Sequence, residues 1–144
     1  MTKGFSEEER AAMKARAAEL RTRERRGRAA DRAAADEADV LAKIEQMPEG
    51  DRALAERVHA IVTTFAPDLA PKPYYGQPGY ARKGKVVCFF RSGLLDKERY
   101  STFGFAAQAD LDEDDGLWPT AYALTEPTEE AWERLAGIVR RIAG

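Results

Sequence analysis

The stretch QPGYARKGKVVCFFR, residues 77–91, decides the fold of this chain. Lys85–Arg91 is rich in β-branched and aromatic residues, which favour strands, and Gln77–Arg82 predicts a shorter strand before it. Lys83-Gly84 predicts a tight turn between the two, because glycine readily adopts the positive φ of two-residue hairpin turns. The stretch therefore predicts an antiparallel hairpin.

Two more strands are predicted after the hairpin, at Arg99–Ala106 and Ala121–Thr125. An amphipathic helix is predicted on each side of this region. One is capped by Asp51 and runs to about Phe65, and the other starts at Pro127 and buries Trp132, Leu135, Val139 and Ile142. A run of strands separate from helices predicts an α+β fold, with a mostly antiparallel sheet of at least four strands covered by helices.

The N-terminal quarter of the chain has a different composition. Residues 1–35 contain ten Lys or Arg and six Asp or Glu, whereas residues 36–144 contain thirteen and nineteen. The predicted organisation is therefore a charged, Ala/Arg-rich helical arm at 1–35, followed by an α/β domain at 36–144.

Within and after this arm, two helices are expected. Ser6-Glu7-Glu8-Glu9 is typical of a capping box and predicts a helix that runs to about Arg26 and frays at Gly27. A second helix is expected from a cap at Asp31 to about Gln46, before Pro48.

A basic arm on an acidic body can contact nucleic acid, an anionic membrane or a second copy of the chain. The arginines of the arm alternate with glutamate and alanine, not with aromatic residues, which disfavours nucleic acid. No apolar run approaches the roughly 18 residues that span a bilayer, so no membrane partner is expected. Two interpretations stay open for the arm: a solvated helix, or a helix that contacts a partner, for which a homodimer through the N-terminal helix is one possibility.

The expected compartment is the cytoplasm. The chain has one cysteine, Cys88, so it cannot form an intramolecular disulfide. The sequence turns acidic directly after Phe5, unlike a secretory signal peptide.

The segment Tyr74–Tyr80 combines three tyrosines with glycine and proline, which predicts a stiff aromatic loop. One interpretation is a wall that binds a small molecule. The other is that the tyrosines close the end of the sheet with their hydroxyls in water. The residues expected in the ligand-binding wall are Tyr75, Gly76, Pro78 and Tyr80, with Lys85 and Trp118 opposite them.

The segment 110–115 places five carboxylates in six positions. Clustered oxygen ligands suit hard cations, so the candidate metal ligands are Asp112, Glu113, Asp114 and Asp115. The alternative is a solvated loop. No catalytic residue is assigned, because Ser92 and Ser101 have no matching base and His59 has no ligand set near it in sequence.

Taken together, several motifs resemble the YdhG-like proteins. These motifs are Tyr75-Gly76-Gln77-Pro78, Gly84-Lys85 before an aromatic strand, Trp118-Pro119 and the final amphipathic helix. They cover the chain from about Val40 to the C-terminus. The family consists of bacterial domains of mostly unknown function, some of which are described as frataxin-like iron chaperones.

The resemblance implies an α/β sandwich and a binding role without catalysis, with a small molecule or iron as the ligand. Many relatives carry a histidine at the start of the third strand, where this chain reads KERYS at 97–101. An iron site here would therefore use the carboxylates of the acidic segment.

Overall fold

The computed structural model describes residues 6–144, which form three helices and five strands. The chain divides into two units between Ala34 and Ala35. No helix within residues 6–144 is long and apolar enough to cross a membrane. The elements in chain order are α1 (Glu7–Glu45), α2 (Glu49–Phe65), β1 (Ala70–Tyr74), β2 (Gln77–Arg82), β3 (Lys85–Arg91), β4 (Ser101–Phe105), β5 (Ala121–Leu124) and α3 (Glu129–Ile142).

The five strands form one antiparallel sheet in the order β1-β2-β3-β4-β5, so each strand pairs with its neighbour in sequence. The predicted hairpin between β2 and β3 is confirmed, with positive φ at Lys83 and Gly84. The α+β class is confirmed as well. The fifth strand is β1, which was not predicted because its sequence APKPY contains two prolines.

The helix α1 is one uninterrupted helix, so the predicted break near Gly27 is wrong. A glycine inside a helix costs about 1 kcal/mol relative to alanine, which weakens a helix without ending it. The flanking residues are mostly Ala, Arg and Glu, which are strong helix formers. Asp31 consequently lies inside the helix and does not cap it.

The predicted start of α1 is confirmed. Ser6 Oγ accepts a hydrogen bond from the backbone N–H of Glu9 at 3.1 Å and donates to the carboxylate of Glu9 at 3.2 Å. The hydroxyl thus satisfies one of the first free N–H groups of the helix.

The helix α2 begins at Glu49, two residues before the predicted cap at Asp51. Pro48 occupies the cap position and makes no side-chain hydrogen bond to the helix. The carboxylate of Asp51 does not cap the helix. It accepts hydrogen bonds from Ser92 and Leu94, which follow β3.

The core lies between one face of the sheet and the helices. Tyr80, Cys88 and Phe105 are paired across three neighbouring strands, and all three are buried. The helix residues predicted to be buried in α3 are buried. In α2, Val58 and Val62 are buried, and three further apolar residues pack against the core at its margin: Leu54, Ile61 and Phe65.

Candidate functional site

The structure does not bring the predicted aromatic wall together. Tyr75 lies with Gly76 in the β1–β2 turn, where both have positive φ, and its side chain is 81% exposed. Lys85 follows the turn at the other end of β2, roughly 20 Å away for a strand of this length. Tyr75 and Lys85 therefore cannot face the same small ligand.

Tyr80 is fully buried and belongs to the core. Its hydroxyl lies 2.9 Å from His59 Nδ1, and this pair satisfies the polar end of a side chain that is otherwise packed in apolar surroundings. Burial lowers the pKa of His59 and raises the pKa of Tyr80. Burial also raises the pKa of the neighbouring Cys88 thiol to about 12, so this thiol is inert at neutral pH.

The other predicted wall residues are also apart. Pro78 is fully buried in β2. Trp118 precedes β5 and lines a separate cavity of about 380 Å³ together with Leu111 and Pro119. The structure therefore places the predicted wall residues in separate parts of the domain, because a β-strand turns alternate side chains to opposite faces and separates its two ends.

The acidic segment is an exposed loop. Glu113 forms an ion pair with Arg141 at 3.1 Å, and Asp115 accepts a hydrogen bond from the N–H of Leu117. Within residues 6–144, no three His, Cys, Asp or Glu side chains come together in a group that could hold a metal ion. Asp112 and Asp114 are exposed like their neighbours, so the geometry gives this loop no coordination set.

A cavity of about 670 Å³ lies where three segments of the domain meet, and we call it the α2 cavity. It opens between the first two turns of α2, the β3–β4 loop and the connection from β5 to α3. Its walls combine apolar and aromatic side chains, which suit the body of a small ligand, with charged groups of both signs, which can fix the orientation of a ligand. The side chains that define it are Leu54, Arg57, Leu94, Glu98, Arg99, Tyr100, Leu124, Glu126 and Trp132.

Asp51 fixes the β3–β4 loop against the start of α2. Its carboxylate accepts hydrogen bonds from the hydroxyl of Ser92 and from the N–H of Leu94. The loop is further tightened at Gly93, whose N–H donates to Ser101 Oγ at 3.0 Å. A side chain at Gly93 would collide with the backbone of Tyr100, so this position requires glycine.

A second polar cluster braces the same loop from the sheet. Gln77 accepts from the N–H of Ser92 and donates to Asp96 at 3.0 Å. Arg91 holds Asp96 with two hydrogen bonds at 2.9 and 3.0 Å, and this guanidinium lowers the pKa of Asp96. The wall formed by the loop is therefore positioned before any ligand arrives.

The guanidinium groups of two arginines lie close to aromatic rings at the wall of the cavity. Arg57 lies 4.8 Å from the ring centre of Trp132 and is held by the carboxylate of Glu129. Arg99 lies 5.1 Å from the ring centre of Tyr100 and forms no ion pair within residues 6–144. Planar cations on aromatic faces are pre-organised to receive a carboxylate.

The sequence reasoning missed this site. Arg57 lies on α2, whereas Arg99 and Tyr100 lie about forty residues later at the end of the β3–β4 loop, and no motif links the two segments in sequence. An available signal was Gly93 just after the strongest strand, since a glycine there can mark a site where another backbone segment approaches closely.

Comparison of the chain with known protein families, with curated proteins and with solved structures finds no match.

Proposed function

We propose that this protein is a non-enzymatic binding protein whose ligand is a small zwitterionic organic molecule held in the α2 cavity. The observation that carries the proposal is the guanidinium of Arg99, which forms no ion pair within residues 6–144 and lies 5.1 Å from the ring centre of Tyr100 at the wall of a cavity of about 670 Å³. A guanidinium beside an aromatic ring suits a carboxylate or a similar anionic group.

The remaining walls argue for the other parts of the ligand. Glu98 and Glu126 line the same cavity, and neither forms an ion pair within residues 6–144. They suit a cationic group on the ligand, while Leu54 and Trp132 suit an apolar body. Amino acids and their derivatives have this combination of groups.

The test is a thermal-shift screen of amino acids and related metabolites, followed by calorimetry on the compounds that bind. A ligand at 100 times its Kd should add about 2.7 kcal/mol to the free energy of unfolding. Arg99→Gln should weaken binding at least tenfold. Arg52→Gln is the matched control, because Arg52 lies outside the cavity and pairs with Glu56. The proposal fails if no compound shifts the melting temperature, or if both variants bind equally well.

The resemblance to the YdhG-like proteins supports a binding role in the bacterial cytoplasm, and family membership is part of this proposal. The iron-binding version rests on the resemblance alone. Calorimetric titration of ferrous and ferric iron into the wild type and into a variant with Asp112, Asp114 and Asp115 changed to alanine tests it. Heat that is present in the wild type and lost in the variant would establish iron as the ligand.

The second candidate function is a protein interaction through the arm. Met13 is 54% exposed and Leu20 is 44% exposed, and they lie two turns apart on α1. Large apolar side chains in an otherwise charged helix are typical contact points for a partner. Changing both to glutamate should abolish such an interaction, which pull-down with the purified partner or measurement of the molecular mass would detect.

A further inference from the structure

The sheet has a second face, opposite the helices, whose side chains follow from the register of the strands. One row across the five strands pairs Lys72, Gly79, Phe89, Gly104 and Ala121, so these residues share one face. The next row belongs to the core and points the other way. Among the described residues, Phe89 is half-buried and lies outside that core. We call the side of the sheet marked by these five residues the open face.

Three aromatic rings lie together on the open face. The ring centre of Tyr74 is 5.1 Å from that of Phe89 and 4.6 Å from that of Tyr75. A Cβ atom at Gly104 would collide with the ring of Phe89, and one at Gly79 would collide with the side chain of Tyr74. Phe89 and Tyr74 therefore fill the space above two glycines, which keeps both side chains close to the sheet.

Arg91 braces the turn that carries the third ring. Its guanidinium donates to the carbonyls of Tyr74 at 3.2 Å and Tyr75 at 2.9 Å, and it is itself held by the carboxylate of Asp96. The side chain of Tyr75 nevertheless remains exposed. The turn thus holds an exposed aromatic ring in position before any ligand arrives.

The charge of the sheet is opposite to that of the whole chain. The five strands contain four basic residues and no acidic residue, whereas the net charge of the chain is −2. Two of the four, Arg82 and Arg91, are paired with aspartates. Lys72 and Lys85 form no ion pair within residues 6–144, and neither does Lys83 in the β2–β3 turn. Lys72 donates to a carbonyl of this turn at 3.3 Å, so the three lysines lie at one corner of the sheet.

We propose that the open face binds single-stranded nucleic acid, whose bases stack on Tyr74, Tyr75 and Phe89 and whose phosphates contact the three lysines. Aromatic rings beside unpaired cations are the means by which proteins bind single strands without reading their sequence. An anionic membrane fits less well, because Tyr74 and Phe89 lie against the sheet and do not project into lipid.

The open face is separate from the α2 cavity. The helices α2 and α3 pack on the opposite face of the sheet. Glu113 of the acidic segment pairs with Arg141 of α3, which holds that carboxylate on the helical side, away from the lysines. The proposal is therefore independent of the ligand of the α2 cavity, and Arg99→Gln should leave nucleic-acid binding unchanged.

The test is fluorescence anisotropy of a labelled oligothymidylate of about 12 nucleotides, titrated with the full chain in about 50 mM salt. Tyr75→Leu with Phe89→Leu removes two rings, keeps an apolar cover over Gly104, and should weaken binding at least about tenfold. Tyr122→Leu is the matched control, because it removes a ring that packs at the margin of the core on the helical side. It should bind like the wild type.

The charge is tested with two matched triple variants. The logarithm of the affinity of the wild type should fall against the logarithm of the salt concentration with a slope of about −2, since each of three phosphate contacts contributes about −0.7. Changing the three lysines to glutamine should weaken binding at least about tenfold and flatten this slope. Changing Arg21, Arg23 and Arg26 to glutamine removes the same charge from the arm, where none of them forms an ion pair within residues 6–144, and should leave binding unchanged.

Each other outcome overturns the proposal. A wild type that does not change the anisotropy does so, and so does a ring variant or a lysine variant that binds like the wild type. Loss of binding in the arm variant alone would make the arm the nucleic-acid site. Binding to phosphatidylserine vesicles without binding to the oligonucleotide would make the open face a membrane surface. Should the double ring variant not fold by circular dichroism, Tyr75→Leu alone decides, because it changes an exposed side chain and must weaken binding at least about fivefold.

Discussion

At the residue scale, Ser92 connects α2, β2 and the β3–β4 loop, although its side chain has only one polar atom. It is fully buried, its N–H donates to Gln77, and its hydroxyl donates to Asp51 and accepts from the N–H of Leu95. A buried polar group is costly when it loses its partner, so this serine specifies how the loop closes over the cavity.

Ser92→Ala should lower the free energy of unfolding by about 1–3 kcal/mol, because the carboxylate of Asp51 and the N–H of Leu95 lose a buried partner. Urea denaturation measures the change. Thr63→Ala is the control, since its hydroxyl bonds to carbonyls of its own helix on an exposed face, and it should change stability by less than about 0.5 kcal/mol. Equal effects of both substitutions would contradict the role assigned to Ser92.

His59 is the only histidine of the chain, and burial lowers its pKa in the folded protein. The unfolded chain, with a histidine pKa of about 6.5, therefore binds more protons than the folded protein below that pH. The free energy of unfolding should fall as the pH drops below about 6.5, and His59→Gln should reduce this dependence. The measurement is urea denaturation between pH 8 and pH 5, with the histidine pKa followed by NMR. A pKa above 6.5 would contradict the prediction.

At the scale of an element, α1 shows why a single glycine, Gly27, was misleading as a sign of a helix end. The prediction of a helix end at Gly27 considered the glycine alone, whereas a helix is cooperative and continues when its neighbours are strong formers. A Cβ atom at Gly27 would meet no atom within 4 Å, so no packing requires a glycine there.

Gly27→Ala should therefore increase the helicity of the arm and stabilise it by about 0.5–1 kcal/mol. Circular dichroism during thermal unfolding measures both effects. Gly93→Ala is the opposite case, because the added methyl group would collide with the backbone of Tyr100, and it should destabilise the protein. An arm that loses helicity in Gly27→Ala would contradict this account.

At the scale of the whole molecule, Arg82 ties the sheet to the segment that follows α2 and to the C-terminal end of α3. Its guanidinium bonds to Asp68, which precedes β1, and to the carbonyl of Ile142 at the end of α3, both at 2.6 Å. The pair with Arg82 lowers the pKa of Asp68. One side chain thus holds together segments that are about sixty residues apart in the chain.

Arg82→Met keeps the aliphatic stem and should lower the free energy of unfolding by about 1–2 kcal/mol at neutral pH. The contribution of Asp68 is present above its unfolded pKa of about 3.9 and is lost as the pH falls through its lower folded pKa. The difference between variant and wild type should therefore shrink in acid. Arg52→Met, which breaks an exposed pair with Glu56 at 3.8 Å, should cost at most about 0.5 kcal/mol. A difference that grows in acid would exclude the proposed pairing.

Much of the fold was predictable because its signals are local. The β2–β3 hairpin follows from Lys83-Gly84 and the apolar run after it, and α3 follows from the period of its apolar residues. The strand β1 was not predictable, because its prolines oppose strand formation except at an edge, and only pairing with β2 makes it an edge.

Periodicity and turn chemistry within a few residues were enough to predict the α+β class, the strands β2 to β5 and the buried faces of α2 and α3, but not the strand β1 or the full length of α1. The arrangement of the site followed only from how distant segments pack together. This packing buried Tyr80 against His59, separated Tyr75 from Lys85, and brought Arg99 to the start of α2. The physical reason is that a cavity depends on contacts between segments distant in the chain, and these are fixed by packing and by buried hydrogen bonds such as that of Ser92 with Asp51.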